Sequence, residues 1–133
     1  MTVVADIGGF QVGSTRAGDV TQGKSSEWVA KTDILVAKVQ TVSPKGGETN
    51  LHSHGGTDAL WVVMEGEATF YGDGDRVVAT LKPRDTLLVP RDVKYWFKSS
   101  SAENLVILRV AALAPGVAHE RTNYTPPKDN HNR

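Results

Sequence analysis

The 133-residue chain contains no cysteine. It therefore forms no disulfide and offers neither a thiolate nucleophile nor sulfur ligands for zinc or an iron–sulfur cluster. It also lacks an excess of charge: 15 Lys plus Arg stand against 15 Asp plus Glu, and the formal net charge is zero. No overall field draws the chain to DNA, RNA or an anionic membrane, so neither nucleic acid nor membrane is expected as a partner. No window approaches the roughly 18 consecutive apolar residues of a spanning helix. Met1 to Phe10 carries Asp6 and two glycines but no basic stretch and no apolar leader core, which makes a cytoplasmic protein the expectation. Missing too are GxGxxG after a strand, the phosphate loop GxxxxGKS/T, HExxH and GxSxG. Nicotinamide, nucleoside-triphosphate and serine-hydrolase readings have no local support.

What is present is a turn-rich pattern of short strands. Gly plus Pro make up 19 residues, and 39% of the chain is hydrophobic, which suits one folded domain. Residues 1–30 alternate short apolar pieces with Gly, Ser and Thr and read as an irregular arm of the kind that covers a neighbour's sheet edge. From Ile34 to Val42 the run ILVAKVQTV is rich in β-branched residues and partly alternating, as in a strand with one face in a core. Further strands are predicted over Thr49–His54, Ala59–Glu65, Ala68–Tyr71, Arg76–Leu81, Thr86–Val89, Tyr95–Phe97 and Asn104–Ala112, separated by Gly, Pro and Asp turns. No amphipathic helical period intervenes. The expectation is an all-β fold, a small double-sheet barrel over 31–113 with an extended tail over 114–133 that contributes little to the core.

Two residues stand out chemically. His52 and His54 are two apart, so strand geometry puts both imidazoles on one face, where neutral nitrogen donors suit Fe, Zn, Mn or Ni once carboxylates join them. Glu48 shares their parity and joins them if the strand begins early. Trp61, Phe70, Trp96 and Phe97 either line a ligand pocket or fill the barrel. Arg76, Lys82, Arg84 and Arg91, scattered at hairpins and strand ends, read as solvated charges that only a carboxylated substrate would recruit. His119 reads as a surface residue of the tail, and His131 as a terminal residue to disregard.

Gly46, five residues, His52, one residue, His54 and then Gly66 in register resembles the first motif of the cupin superfamily, Gly-x5-His-x-His-x(3,4)-Glu-x6-Gly. Arg84, Pro90, Asp92, Tyr95 and Ser99 fall at the spacings of its second motif, Gly-x5-Pro-x-Gly-x2-His-x3-Asn, with only the proline kept. The resemblance covers Ile34 to Ala112 and implies a double-stranded β-helix, or jelly-roll, barrel of the cupin type. It further implies a divalent metal held by His52 and His54, with Asp58 or Glu48 and Tyr95 completing the set, because the glutamate position falls on Asp58 or Ala59 and the last histidine position on Tyr95. Tyr95 and Asp58 are the catalytic candidates, Tyr95 also as a hydrogen-bond donor to a carbonyl without any metal bond. The implied function is metal-dependent conversion of a small organic molecule bearing a carbonyl or hydroxyl, of dioxygenase, isomerase, cyclase or lyase type. The alternative is a non-catalytic cupin that binds or senses such a molecule. A homodimer is expected by analogy with cupin barrels.

Overall fold

The computed structural model describes residues 5–126. Twelve strands run in order: β1 (Ala5–Ile7), β2 (Phe10–Val12), β3 (Lys24–Lys31), β4 (Leu35–Val42), β5 (His52–His54), β6 (Thr57–Glu65), β7 (Ala68–Tyr71), β8 (Val77–Leu81), β9 (Thr86–Val89), β10 (Trp96–Ser99), β11 (Leu105–Leu113) and β12 (Arg121–Asn123). Among the described residues the only helical element is one short 3-10 turn, Asp73–Asp75, and no helix is long and apolar enough to cross a membrane.

Two sheets face each other. The first has the order β3-β4-β11-β6-β9, antiparallel throughout. The second contains β10-β7-β8. It is continued by an isolated bridge between His52 and Tyr95, and by Thr49 N donating to Phe97 O at 3.0 Å, to the β12-β5 pair. This is a double-stranded β-helix of two facing sheets, with β3 and β9 at the edges of the first.

Period-two alternation decides what fills the space between the sheets. Trp61 and Val63 from β6, Leu105 and Ile107 from β11, and Phe70, Phe97 and Leu81 from the facing sheet form one apolar cluster. Trp61 and Phe97 lie 4.9 Å apart between ring centroids, as do Phe70 and Phe97, distances at which aromatic pairs attract beyond simple burial. The filling changes along the barrel. Val42 pairs with Leu105, Gln40 with Ile107 and Lys38 with Arg109, so one end of the same face is apolar and the other cationic.

The boundaries differ from expectation at both ends. The arm is shorter than thirty residues, because β3 pairs with β4 along most of its length and is a full member of the first sheet. Gly18 N donates to Thr41 Oγ1 at 2.7 Å, and Asn104 Nδ2 donates to Val20 O at 2.7 Å, which ties the remaining arm to the barrel. The tail is more ordered than expected. β12 pairs with the histidine strand β5, Tyr124 N donates to Leu51 O, and Ser53 Oγ and Tyr124 Oη share a 2.8 Å hydrogen bond. Its polar sequence gave no apolar alternation, yet an unpaired strand edge gains from any partner that satisfies its backbone. His131 lies outside the described residues.

The motif backbone survives where its side chains are replaced. Gly66 has φ +78°, and a Cβ there would come within 2.6 Å of Asn104 O. Arg84 and Asp92, at the two glycine positions of the second motif, keep the left-handed conformation with φ 78° and 67°. Gly66→Ala should therefore lower stability by about 1–3 kcal/mol, whereas Arg84→Gly should change it by less than about 1 kcal/mol, since relief of strain is offset by glycine's entropy in the unfolded chain. Denaturant titration of the two variants checks the contrast; equal losses would remove the backbone argument.

Candidate functional site

His52 is 2% exposed and projects from β5 into the barrel beside Tyr95. The two residues exchange backbone hydrogen bonds, His52 N to Tyr95 O at 3.0 Å and Tyr95 N to His52 O at 2.9 Å, which holds their rings 4.4 Å apart. His54 follows on the same face, its ring edge-on to His52 at 5.0 Å. His52 Nδ1 lies 2.6 Å from the Asn50 carbonyl and so carries the proton it donates there. Its Nε2 lone pair is left free.

These side chains border one cavity of about 210 Å³. Trp61, Tyr95 and Phe97 supply an aromatic wall, while Lys24, Lys38, Arg109 and Arg121 bring positive charge to it. Arg109 also donates to Thr57 Oγ1 at 3.2 Å and lies over the Trp61 ring, and Arg121 donates to the side chains of Asn50 and Asn123.

Burial and these cations set the protonation states. Burial, reinforced by Arg121, His54 and Lys24 against the opposing Asn50 bond, pulls His52 down to about 3. Burial followed by Arg109 and Arg121 pulls His54 down to about 4. Both imidazoles are neutral near pH 7. Burial pushes the Tyr95 phenol up, with Arg109 and Arg121 acting the other way, so it keeps its proton as a donor. The Arg109 guanidinium and Trp61 indole also favour the phenolate, yet Trp61 Nε1 and Arg109 Nε complete no hydrogen bond of normal geometry. Burial, then Arg121 and Lys38, lowers Lys24 to about 8.

Of the candidates read from the sequence, His52, His54 and Tyr95 come together and the two carboxylates stay apart from them. Asp58 sits on the outer parity of β6, accepts from Arg91 N at 2.9 Å and pairs with Arg91 Nε at 3.5 Å, both side chains about half exposed. Glu48 precedes β5, and the strand begins only at His52, so its parity argument does not apply; Thr49 reaches the cavity instead. Trp61 and Phe97 line the cavity, Phe70 is core, and Trp96 stacks outside on Tyr71 at 4.0 Å. His119 folds against Gly56, its Nε2 2.9 Å from the Ala114 carbonyl.

A resident divalent cation does not fit this donor set. Among the described residues no group of three His, Cys, Asp or Glu is placed to hold a metal ion. The two imidazoles share their cavity with four cationic side chains and no carboxylate. Each cation raises the cost of a further positive charge in a poorly solvated space.

The four cations are what sequence reading missed. Lys38 in LVAKVQTV and Arg109 in LVILRVAAL interrupt apolar runs at inward parity, a signal that was available; Lys24 was assigned to the arm and Arg121 to the tail, where no parity applied.

The two facing sheets thus enclose a polar cavity lined by imidazole, phenol and cationic side chains. The Cupin domain profile matches residues 38–111, and the chain belongs to that family. No curated protein matches it in sequence. Its fold is similar to that of an uncharacterized conserved protein with a double-stranded β-helix domain from Klebsiella pneumoniae, at 20% identity over 83% of this chain and 91% of that one, with a TM-score of 0.68. KdgF from Halomonas sp. is 21% identical over 71% and 82%, with a TM-score of 0.59. An RmlC-like cupin protein from Desulfovibrio desulfuricans is 25% identical over 67% and 82%, with a TM-score of 0.56.

The lowered histidines carry a pH prediction. An unfolded histidine takes up its proton near 6.5, whereas His54 and His52 resist until about 4 and 3, so the unfolded state binds more protons throughout that interval. Stability is therefore expected to fall as pH drops from 6.5 towards 4. His54→Asn should make the fall shallower in denaturant titrations across that range, and an identical pH slope in the variant would place His54 in water.

Proposed function

We propose that this cupin domain binds a small organic molecule bearing a carbonyl or hydroxyl, contacted directly by His52, His54 and Tyr95 and not through a resident metal. The observation that carries this reading is their convergence on one cavity whose histidines are neutral and whose phenol is protonated. His52 Nε2 is an acceptor for a ligand hydroxyl, and the Tyr95 phenol is a donor for a carbonyl. Trp61 and Phe97, each 1% exposed, form the apolar floor of the cavity.

Binding without turnover needs nothing more. Proton transfer would use the same atoms, with His52 Nε2 taking a proton and Tyr95 giving one. The metal-dependent enzyme suggested by family resemblance, using Fe, Zn, Mn or Ni, draws support from the free Nε2 of His52. The cationic cavity and distant Asp58 weigh against it.

Elemental analysis and native mass spectrometry test the choice on one preparation. Protein purified without added metal and incubated with a metabolite extract should hold well below one metal per chain and acquire a small organic adduct that His52→Leu and Tyr95→Phe weaken. One tightly held metal per chain, lost on replacing His52, would overturn the reading.

We also propose that the chain forms a homodimer. Ile7, Phe10 and Val12 on the β1–β2 hairpin are 63%, 77% and 54% exposed, a concentration of apolar surface that a second copy would bury. Light scattering should give twice the 14.3 kDa chain mass. Phe10→Ser should shift it towards monomer, and a monomeric wild type would remove the proposal.

A further inference from the structure

Four cationic side chains on one small cavity are costly unless something compensates them. Lys24 is 5% exposed, and Lys38 stands directly opposite Arg109 across the β4–β11 pair, a like-charge juxtaposition that destabilises a sheet. None of the twelve residues around the cavity is acidic. The ion pairs found among the described residues, Arg91–Asp58 and Lys94–Asp73, involve none of the four cations. Two donors beside the Tyr95 phenol oxygen, Trp61 Nε1 and Arg109 Nε, and one acceptor, Gln40 Oε1, are also buried there without a partner at bonding geometry. Buried donors of this kind normally have partners.

We infer that the ligand of this pocket is an organic anion, a small carboxylate. The inference rests on the reading that the cavity takes an organic molecule, and it names that molecule's class. A carboxylate supplies the missing acceptors, because its two oxygens accept from a guanidinium fork and from neighbouring N–H donors together. Arg109 is the central contact, with Lys38 beside it in the sheet and Lys24 and Arg121 adding charge from β3 and β12. Trp61, Tyr95 and Phe97 close the floor of the pocket, with only 1%, 4% and 1% of their surface exposed. That apolar floor, small as its accessible surface is, favours an organic anion over inorganic phosphate, which has no carbon to set against it. The same charges that disfavour a divalent cation favour this ligand, and the net charge of zero for the whole chain hides the local concentration.

Isothermal titration at constant ionic strength with acetate, benzoate and salicylate, with benzamide as the uncharged match and with inorganic phosphate, tests the class. The aromatic carboxylates should bind saturably and more tightly than acetate, benzamide or phosphate. Arg109→Gln should weaken benzoate binding by about tenfold or more, the usual effect of losing one charge-assisted contact. Arg121→Gln, on the short strand β12 outside the first sheet, should weaken it in the same direction if Arg109→Gln fails to fold. Benzamide binding as well as benzoate would overturn the anionic class while leaving the organic-ligand reading intact. Phosphate binding as well as benzoate would replace the organic anion by a general anion site. No saturable binding of any of the five would overturn the inference, and the adduct experiment above then decides the organic-ligand reading separately.

Discussion

The backbone bridge between His52 and Tyr95 is the contact on which the rest of the site depends. Two hydrogen bonds join the strand carrying the paired histidines to the segment just before β10. They continue the second sheet across the barrel, bring two motifs more than forty residues apart into register, and fix the order in which side chains enter the cavity. Tyr95 therefore meets His52 because the two backbones are paired. The ring contact follows from that pairing. Replacing the family's last histidine by tyrosine leaves this architecture in place while changing a nitrogen ligand into an oxygen donor that keeps its proton.

Against that frame, the barrel divides along its length. Its apolar end is filled by aromatic and branched side chains, and its other end by lysine, arginine and imidazole. The division comes from three consecutive inward positions on β4, where Lys38, Gln40 and Val42 pass from charge to hydrocarbon within two residue pairs. Such an arrangement gives up part of the burial that an all-apolar filling would provide. A core chosen for stability alone would not set Lys38 against Arg109.

Most of the barrel was legible in the sequence because its strands announce themselves locally. ILVAKVQTV and LVILRVAAL carry β-branched density, and Gly46, Gly66 and Pro90 mark turns whose spacing matches the cupin pattern. The histidine pair was legible for the same reason, as period two needs no tertiary information. β3 and β12 were not. KSSEWVAK alternates poorly and RTN is too short to show any pattern, so both owe their strand form to the neighbour whose edge they satisfy. Arg84 and Asp92 misled in the opposite way. As residue types they break the second motif, but their positive φ values show that the backbone path it encodes persists. Where the candidate site was misjudged, the cause was distance. Asp58 is close to the histidines in sequence, but inverted parity turns it outward to Arg91, whereas Arg121 is remote and enters the cavity.

The pairing of β12 with β5 couples the far end of the described chain to the interior of the barrel. Detaching Arg121–Asn123 would free the edge of the histidine strand and withdraw Arg121 from the cavity in a single event. Seating of this segment and filling of the pocket are thus linked equilibria: an occupant that contacts Arg121 holds the strand down, and the strand held down completes the pocket. How firmly three residues of the tail adhere therefore decides whether Arg121 stands in the cavity, so sequence changes that never touch the pocket wall can tune the charge there.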